Sequence, residues 1–429
     1  MIDNQTFTHI SCPFCGLACD DLALTVNSGK IRATQNACQR SMDAFASLDP
    51  SVSNKPQVNG VDTTLEKAIL AAGKILRLSV QPLFAGLSTD VAGMRALMQL
   101  GDACGATFDH MNSESKLRNL LVLQDSGFVN TTFAEVKNHA DVIIFFGTDA
   151  VSRFPRFFER LVWNQNSLAE LNTTSRDIVY LGDIKNTQAG VAPDGRKPAA
   201  IKCANENLGE VAAAMHALLS GKILQAEQVG GIKISTLRKL LEKIRSAKYT
   251  VFCWSAADLN FPHAELAVQS LAELIKAINE KTRCAGLPLG GTDADITANS
   301  VHTWQSGFPI RTSFASGKPM FDPTHFSTQR LLDNAEADAM LWVNSFDEKR
   351  ISPASKIPTI VLGRVGMKPT KDMQVFIPIA TPGADHAGHF YRSDKIVALP
   401  LRKLRETLLP SVEQVVNAIE TSWRGQHAD

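Results

Sequence analysis

A chain of 429 residues, 44 % of them hydrophobic and 20 % charged, carries enough apolar material for more than one packed core. Its 44 Lys and Arg stand against 43 Asp and Glu, which leaves no charge excess to hold nucleic acid or an anionic membrane, and three Tyr with five Trp supply few platforms for stacking bases. No stretch is long and apolar enough to cross a bilayer, and the polar start Met1-Ile2-Asp3-Asn4-Gln5 lacks the basic and apolar regions of a leader, so a cytoplasmic location is expected.

Residues 1–48 read as a unit of their own. Cys12, Cys15, Cys19 and Cys38 are four of the eight cysteines in the chain. In a long cytosolic chain such clustering points to metal binding rather than to a disulfide framework. Asp21–Val26 alternates apolar and polar residues, Asn27-Ser28-Gly29-Lys30 is turn chemistry, and Ile31–Gln35 alternates again, which predicts a β-hairpin. Cys19 and Cys38 lie symmetrically about the Ser28-Gly29 centre, so the hairpin is expected to return the fourth thiol to the first three. Four thiolates suit an iron–sulfur cluster or a structural zinc. Four separate buried or reactive thiols are the plainer alternative. Cys104, Cys203, Cys253 and Cys284 read as small core residues.

Residues 49–64, with Pro50, Pro56 and Gly60, read as a linker into a helix at Leu65–Leu78. A strand at Pro82–Leu87 and a helix at Val91–Leu100, ended by Gly101, come next. Further apolar runs at Asp141–Gly147, Ile178–Leu181, Thr250–Trp254, Met340–Val343, Thr359–Leu362 and Val375–Ile379 predict buried strands. Such runs alternating with helices imply an α/β protein of doubly wound, mostly parallel sheets covered on both faces. The expected division is a first α/β domain at 65–208, a second at 209–380 and a C-terminal segment at 381–429.

Other candidates have bland readings beside the functional ones. Gly286-Leu-Pro-Leu-Gly290-Gly291 could wrap a phosphate, but it lacks the Lys-Ser/Thr ending of a P-loop and reads better as a forced loop. His386 and His389 beside Asp385 have a metal-like spacing, yet their glycine-rich context favours surface or packing histidines, and His302 beside Trp304 is read the same way. Arg153, Arg156 and Arg160 suit an anionic carrier, or more simply a solvated face or subunit contact. No Ser/His/Asp or Cys/His arrangement can be assembled from spacing.

The run Cys12-Pro-Phe-Cys15-Gly-Leu-Ala-Cys19-Asp20-Asp21, with Asn36-Ala37-Cys38, resembles the N-terminus of the B subunit of formylmethanofuran dehydrogenase, a family of molybdopterin and tungstopterin oxidoreductases. Ala134–Ile143, Asn299 with Trp304–Arg311, and Thr381-Pro382-Gly383 with Tyr391-Arg392-Ser393-Asp394 match the same family in order. The resemblance implies a molybdopterin-oxidoreductase type of α/β fold, a [4Fe–4S] cluster on the four cysteines, and a Cys or selenocysteine ligating molybdenum or tungsten. Ser115 falls at that ligand position, and Lys116-Leu117-Arg118 replace the small residues beside it. An alkoxide is a harder donor than a thiolate, and the long side chains crowd the backbone, so the departure implies loss of the pterin-bound redox centre. A second group resembles this family with that loss: the formyltransferase/hydrolase complex of methylotrophic bacteria. It moves a formyl group from a tetrahydromethanopterin carrier to a methanofuran-like carrier and releases it as formate, with the chemistry in other subunits. The resemblance therefore implies a non-catalytic structural subunit of a hetero-oligomeric complex in one-carbon metabolism. The alternative is a catalytic molybdenum or tungsten subunit of formylmethanofuran dehydrogenase.

Overall fold

The structure is a computed structural model that describes residues 5–52, 55–169 and 172–425. The chain forms two compact units. Unit 1 holds the residues up to Ser113 and those from Gly291 onward, and unit 2 is Glu114–Gly290. This differs from the consecutive division at 208 and 209. Strand pairing is the reason: Pro82–Ser88 pairs in parallel with Ala339–Asn344, far along the chain, so the sequence of unit 2 is inserted within that of unit 1.

Unit 1 begins with β1 (Gln5–Ile10), β2 (Leu22–Asn27) and β3 (Lys30–Gln35), followed by α1 (Gln39–Ala46). The predicted hairpin is present as β2–β3, and β1 adds an antiparallel strand that the alternation did not reveal. Only Phe7 and Ile10 of β1 are buried, too few to make a pattern. Then come α2 (Leu65–Leu78), β4 (Pro82–Ser88), α3 (Val91–Cys104) and β5 (Thr107–Phe108). The predicted α2 and β4 lie where the sequence placed them. Helix α3 runs past Gly101 to a left-handed Gly105. Gly101 is a packing glycine, because a Cβ there would overlap the Phe108 ring.

Unit 2 contributes α4 (Ser113–Asp125, which starts at the unit boundary), β6 (Val142–Phe146), β7 (Asp177–Leu181), β8 (Ala199–Ile201), α5 (Leu208–Leu219), β9 (Tyr249–Ser255), α6 (Ala264–Asn279) and β10 (Arg283–Leu289). Its sheet is wholly parallel, in the order β8-β7-β6-β9-β10. The Gly286–Leu289 stretch read as a loop is the end of β10. Pro288 is tolerated because β10 is an edge strand, where one row of backbone donors has no ladder to serve.

The chain returns to unit 1 with α7 (Asp295–Ser306), β11 (Ala339–Asn344), β12 (Thr359–Arg364), β13 (Met373–Ile379), β14 (Gly388–Tyr391) and α8 (Val412–Gly425). The parallel core of the unit 1 sheet is β5-β4-β11-β12-β13, with short antiparallel pairs added at both edges. Alternate residues serve opposite faces, as strand geometry requires. Phe84, Leu341, Ile360 and Ile377 join one core with Leu76, Leu97 and Ile419 of the helices, while Leu83, Trp342, Val361 and Phe376 form the core on the other face.

His302, on α7, is a core histidine as its bland reading had it. It is fully buried, with its ring edge-on to Phe108 and Phe314 and its Nδ1 2.8 Å from the Phe308 carbonyl. Burial pushes its pKa down to about 4, against a smaller opposing effect of that carbonyl. The unfolded chain binds the proton first as pH falls from 6.5. The stabilisation is therefore complete above 6.5, erodes as pH drops and is lost below 4, by about 3 kcal/mol in all. Replacing His302 by Gln should flatten denaturant-measured stability across that window relative to the native chain. Parallel pH profiles would show that the imidazole does not titrate in this way.

Candidate functional site

The N-terminal cysteines sit where β1 turns into β2. The Cys12 N–H donates to the Cys19 carbonyl at 2.7 Å and closes the loop, while Ala18 N–H donates to the Cys15 carbonyl at 3.0 Å. Cys38 is the N-cap residue of α1, and its side chain makes no capping bond. The β2–β3 pairing is symmetric about Ser28-Gly29 from Asn27↔Lys30 to Leu24↔Ala33, but a bulge then pairs Ala23 with Gln35. The ladder stops before Cys19, so the hairpin brings Cys38 to the neighbourhood without pairing it opposite Cys19.

Cys12, Cys15 and Cys19 are buried and Cys38 is partly so. Burial pushes the Cys12 thiol well up, and charge on Cys15 or Cys19 would push it further. Burial also raises Cys15, with the Arg40 charge pulling it down and Cys38 pushing it up. Cys12 thus lies within electrostatic reach of Cys15 and Cys19, and Cys15 of Cys38, and the donor set suits a thiolate-bound metal. Among the described residues, however, no three His, Cys, Asp or Glu side chains stand grouped to hold a metal ion. Cys12 Sγ instead points a weak hydrogen bond at Ser41 Oγ, 3.5 Å away.

Two arginines, Arg364 buried and Arg405 largely so, fasten this segment to the rest of unit 1. Arg364, at the end of β12, donates to the Ala44 carbonyl at the end of α1, to Ser47 Oγ and to the Phe346 carbonyl, and pairs with Glu348. Arg405 pairs with buried Asp385 at 2.7 Å and donates to the carbonyls of Gly29, in the hairpin turn, and Leu48. Asp385 is therefore a structural anion, not a partner for a histidine-bound metal. Removing Arg405 would strand the Asp385 carboxylate, at a cost of about 3–5 kcal/mol. An Arg405→Ala chain should show early proteolytic cleavage between the hairpin turn and Leu48. Native-like protection of that segment would refute the fastening role.

Doubly wound sheets hold ligands at the carboxyl ends of strands, where the order reverses. In unit 1 that point lies between β4 and β11, and in unit 2 between β6 and β9. Helix α3 follows β4, and its N-terminus would be the natural phosphate seat. Asp90 occupies it, accepting the Gly93 N–H at 3.1 Å, and the Gly388 backbone lies hard against the carboxylate. Ser88 Oγ, Ser345 Oγ and Asp90 Oδ2 are buried there without a hydrogen-bond partner. An acidic side chain at the seat opposes a second anion. In unit 2 the left-handed Gly147 after β6 is covered by Leu259 and Leu208, and Thr148 and Arg153 bond the Asp258 carboxylate across the crevice. Arg118 donates to the Ala256 carbonyl just after β9 and to Asn260. The unit 1 reversal point thus keeps three unpartnered polar atoms, while the unit 2 point is covered by the chain's own side chains.

Ser115 lies in the first turn of α4, within a regular helix rather than a tight backbone loop. The residues just before it join a cluster the sequence did not reveal. Asn112 Nδ2 donates to Thr292 and to Asp293 Oδ2, His110 Nε2 is 3.0 Å from the Asp293 carbonyl, and Arg350 bridges Asn112 and Asp293. Its members are scattered along the chain, so no spacing signals it. Of the remaining candidates, Arg153 and Arg156 are ion-paired to Asp258 and Glu159, and Arg160 lies in the short helical turn Phe158–Val162. His386 bonds the Ala387 carbonyl, and His389 is an exposed residue of β14.

The runs that carried the family resemblance have structural work to do. Asp141 accepts the N–H groups of Lys248 and Tyr249, Asn299 accepts that of Ile310, Arg311 pairs with buried Asp109, and the Ser393 N–H donates to the Gly16 carbonyl inside the cysteine loop. Two doubly wound sheets with a cysteine-bearing antiparallel sheet at the N-terminus define the class: a large α/β protein of mostly parallel sheets.

Comparison with known proteins specifies it further. No protein-family model matches the chain. The B subunit of the tungsten-containing formylmethanofuran dehydrogenase 2 of Methanocaldococcus jannaschii is 27 % identical over 424 residues, 94 % of this chain and 96 % of that one. The B subunit of the formyltransferase/hydrolase complex Fhc of Methylorubrum extorquens is 26 % identical over 351 residues, 77 % of this chain and 86 % of that one. A chain in the crystal structure of the Methylorubrum extorquens formyltransferase/hydrolase complex FhcABCD, solved with methylofuran, superposes with a TM-score of 0.74 at 22 % identity, covering 87 % of this chain and 100 % of that chain. The chain is similar over most of its length to B subunits of formylmethanofuran dehydrogenase and of the Fhc complex.

Proposed function

We propose that this chain is a non-catalytic structural subunit of a formyltransferase/hydrolase complex, in which other subunits transfer a formyl group from a tetrahydromethanopterin carrier to a methanofuran-like carrier and release it as formate. The observation that carries the reading is Ser115, set in the first turn of a regular helix at the position where the family resemblance calls for a metal-ligating Cys or selenocysteine. Similarity over most of the length to a subunit of such a complex supports it. Among the described residues no helix is long and apolar enough to cross a membrane. The proposal places the assembly in the cytoplasm. The second reading, a catalytic molybdenum or tungsten subunit, draws on the fuller coverage of the tungsten-containing relative. Ser115 and the helix it sits in favour the first. The chain co-expressed with its partner subunits should co-purify with them and show no viologen-linked oxidation of formate or formylmethanofuran. Stoichiometric molybdenum or tungsten, with activity abolished by Ser115→Ala, would establish the rival reading instead.

Cys12, Cys15, Cys19 and Cys38 are the residues that would hold an iron–sulfur cluster or zinc, serving structure rather than electron transfer. Buried thiols with raised pKa values give up protons reluctantly, so a metal there must displace them, and its binding free energy adds to that of folding. Cys38→Ser should lower the metal content of the purified complex and expose residues 5–40 to protease while the parallel sheets stay folded. Unchanged metal and unchanged protection would exclude a four-thiolate site. Broad visible absorption that bleaches on reduction would identify iron–sulfur, and a colourless metal-bound protein zinc.

A further inference from the structure

Cys12 and Cys15 are set among hydrogen-bond donors that face sulfur. The Phe14 N–H is directed at the Cys12 sulfur, and the Leu17 and Ala18 N–H groups at the Cys15 sulfur. All three belong to the tight turn that the Cys12 N–H closes on the Cys19 carbonyl. A neutral thiol is a weak acceptor, whereas a thiolate accepts strongly because it carries charge. A turn that aims three N–H groups at two sulfurs therefore suits the deprotonated form.

One further donor is a side chain. Ser41 is 2 % exposed, and its Oγ lies 3.5 Å from Cys12 Sγ. Among the described residues it makes no other side-chain hydrogen bond. Ser41 stands three residues after Cys38, the N-cap of α1, so the two side chains share one face at the start of that helix. The contact between Ser41 and Cys12 thus sets the helix start that bears Cys38 against the loop that bears the other three thiols. Phe45, one turn further along α1 and fully buried, packs edge-on against Phe14 of that loop with ring centroids 4.9 Å apart, which fixes the same face. With Cys12 protonated, the thiol donates to the hydroxyl. A metal-bound sulfur has no proton to give, so the direction must reverse: the Ser41 O–H becomes the donor and the bond becomes charge-assisted. Donors around a ligand sulfur stabilise its charge and so tune the metal it holds.

We propose that Ser41 is a positioning residue of the four-cysteine site, whose hydroxyl donates to the Cys12 sulfur, keeps the Cys38 end of α1 against the loop and stabilises the charge on that sulfur. The inference rests on the reading that the four cysteines hold zinc or an iron–sulfur cluster. The test compares the native chain with Ser41→Ala and Ser41→Thr, each purified in the co-expressed complex. For zinc, competition against a chelator should show about tenfold weaker binding in Ser41→Ala, the scale of one hydrogen bond to a charged group. For iron–sulfur, the midpoint potential should fall by about 59 mV, the one-electron equivalent of tenfold, because reduction adds negative charge that the hydroxyl no longer stabilises. Ser41→Thr keeps the hydroxyl and should restore most of either shift. Native affinity or potential in Ser41→Ala would overturn this inference and leave the four-cysteine site standing. A Ser41→Thr chain displaced as far as Ser41→Ala would reduce Ser41 to a packing residue and overturn it as well. Metal absent from the native complex would overturn the site and the inference together.

Discussion

The guanidinium groups of Arg364 and Arg405 hold unit 1 together. Arg364 is buried and Arg405 largely so, each must find acceptors for its fork of donors, and each finds some in backbone carbonyls that no strand or helix ladder uses. The carbonyls of Ala44 and Leu48 lie at the end of α1 and just beyond it, where helix geometry leaves acceptors open, and that of Gly29 lies in the hairpin turn. A three-stranded sheet and one short helix have too little core to stand alone. Fastening them to β12 and to Asp385 gives the cysteine loop a fixed frame.

The carboxyl ends of the two parallel sheets are used in a similar way. Doubly wound folds leave these ends open because helix N-termini and loop glycines gather there, and ligands exploit them. In this chain the same positions make internal contacts. Asp90 satisfies the helix that a phosphate would otherwise cap, and hydrophobic side chains lie over Gly147 where a cofactor's backbone approach would fall.

Much of the fold was legible from local chemistry. Val142–Phe146 and Thr359–Leu362 are apolar on both faces, and only a strand covered on both sides can bury them. The periodicity over Leu65–Leu78 marks α2 to the residue, and the structure adds Thr64 as its cap. The misreadings share a cause. Gly101 and Gly286 look like breakers in sequence, yet each sits where a side chain would overlap a ring, Phe108 in one case and Trp254 in the other. A glycine chosen for close packing and one chosen for a turn are the same letter.

By itself the sequence determined most of the long secondary elements, the parallel class of the sheets, the gathering of four cysteines at the N-terminus, and the kinship that its scattered motifs carry. Those properties arise from short-range periodicity and from residue type. Tertiary structure decided which strands share a sheet, because β4 and β11 pair across an inserted unit that no local pattern announces. It also decided that the motif residues Asp141 and Asn299 pin backbone, that Arg311 pairs with buried Asp109, and that Asp90 caps α3. It brought His110, Asn112, Asp293 and Arg350 into one cluster as well. These are outcomes of long-range contact, set by which buried polar groups can reach one another once the sheets have formed.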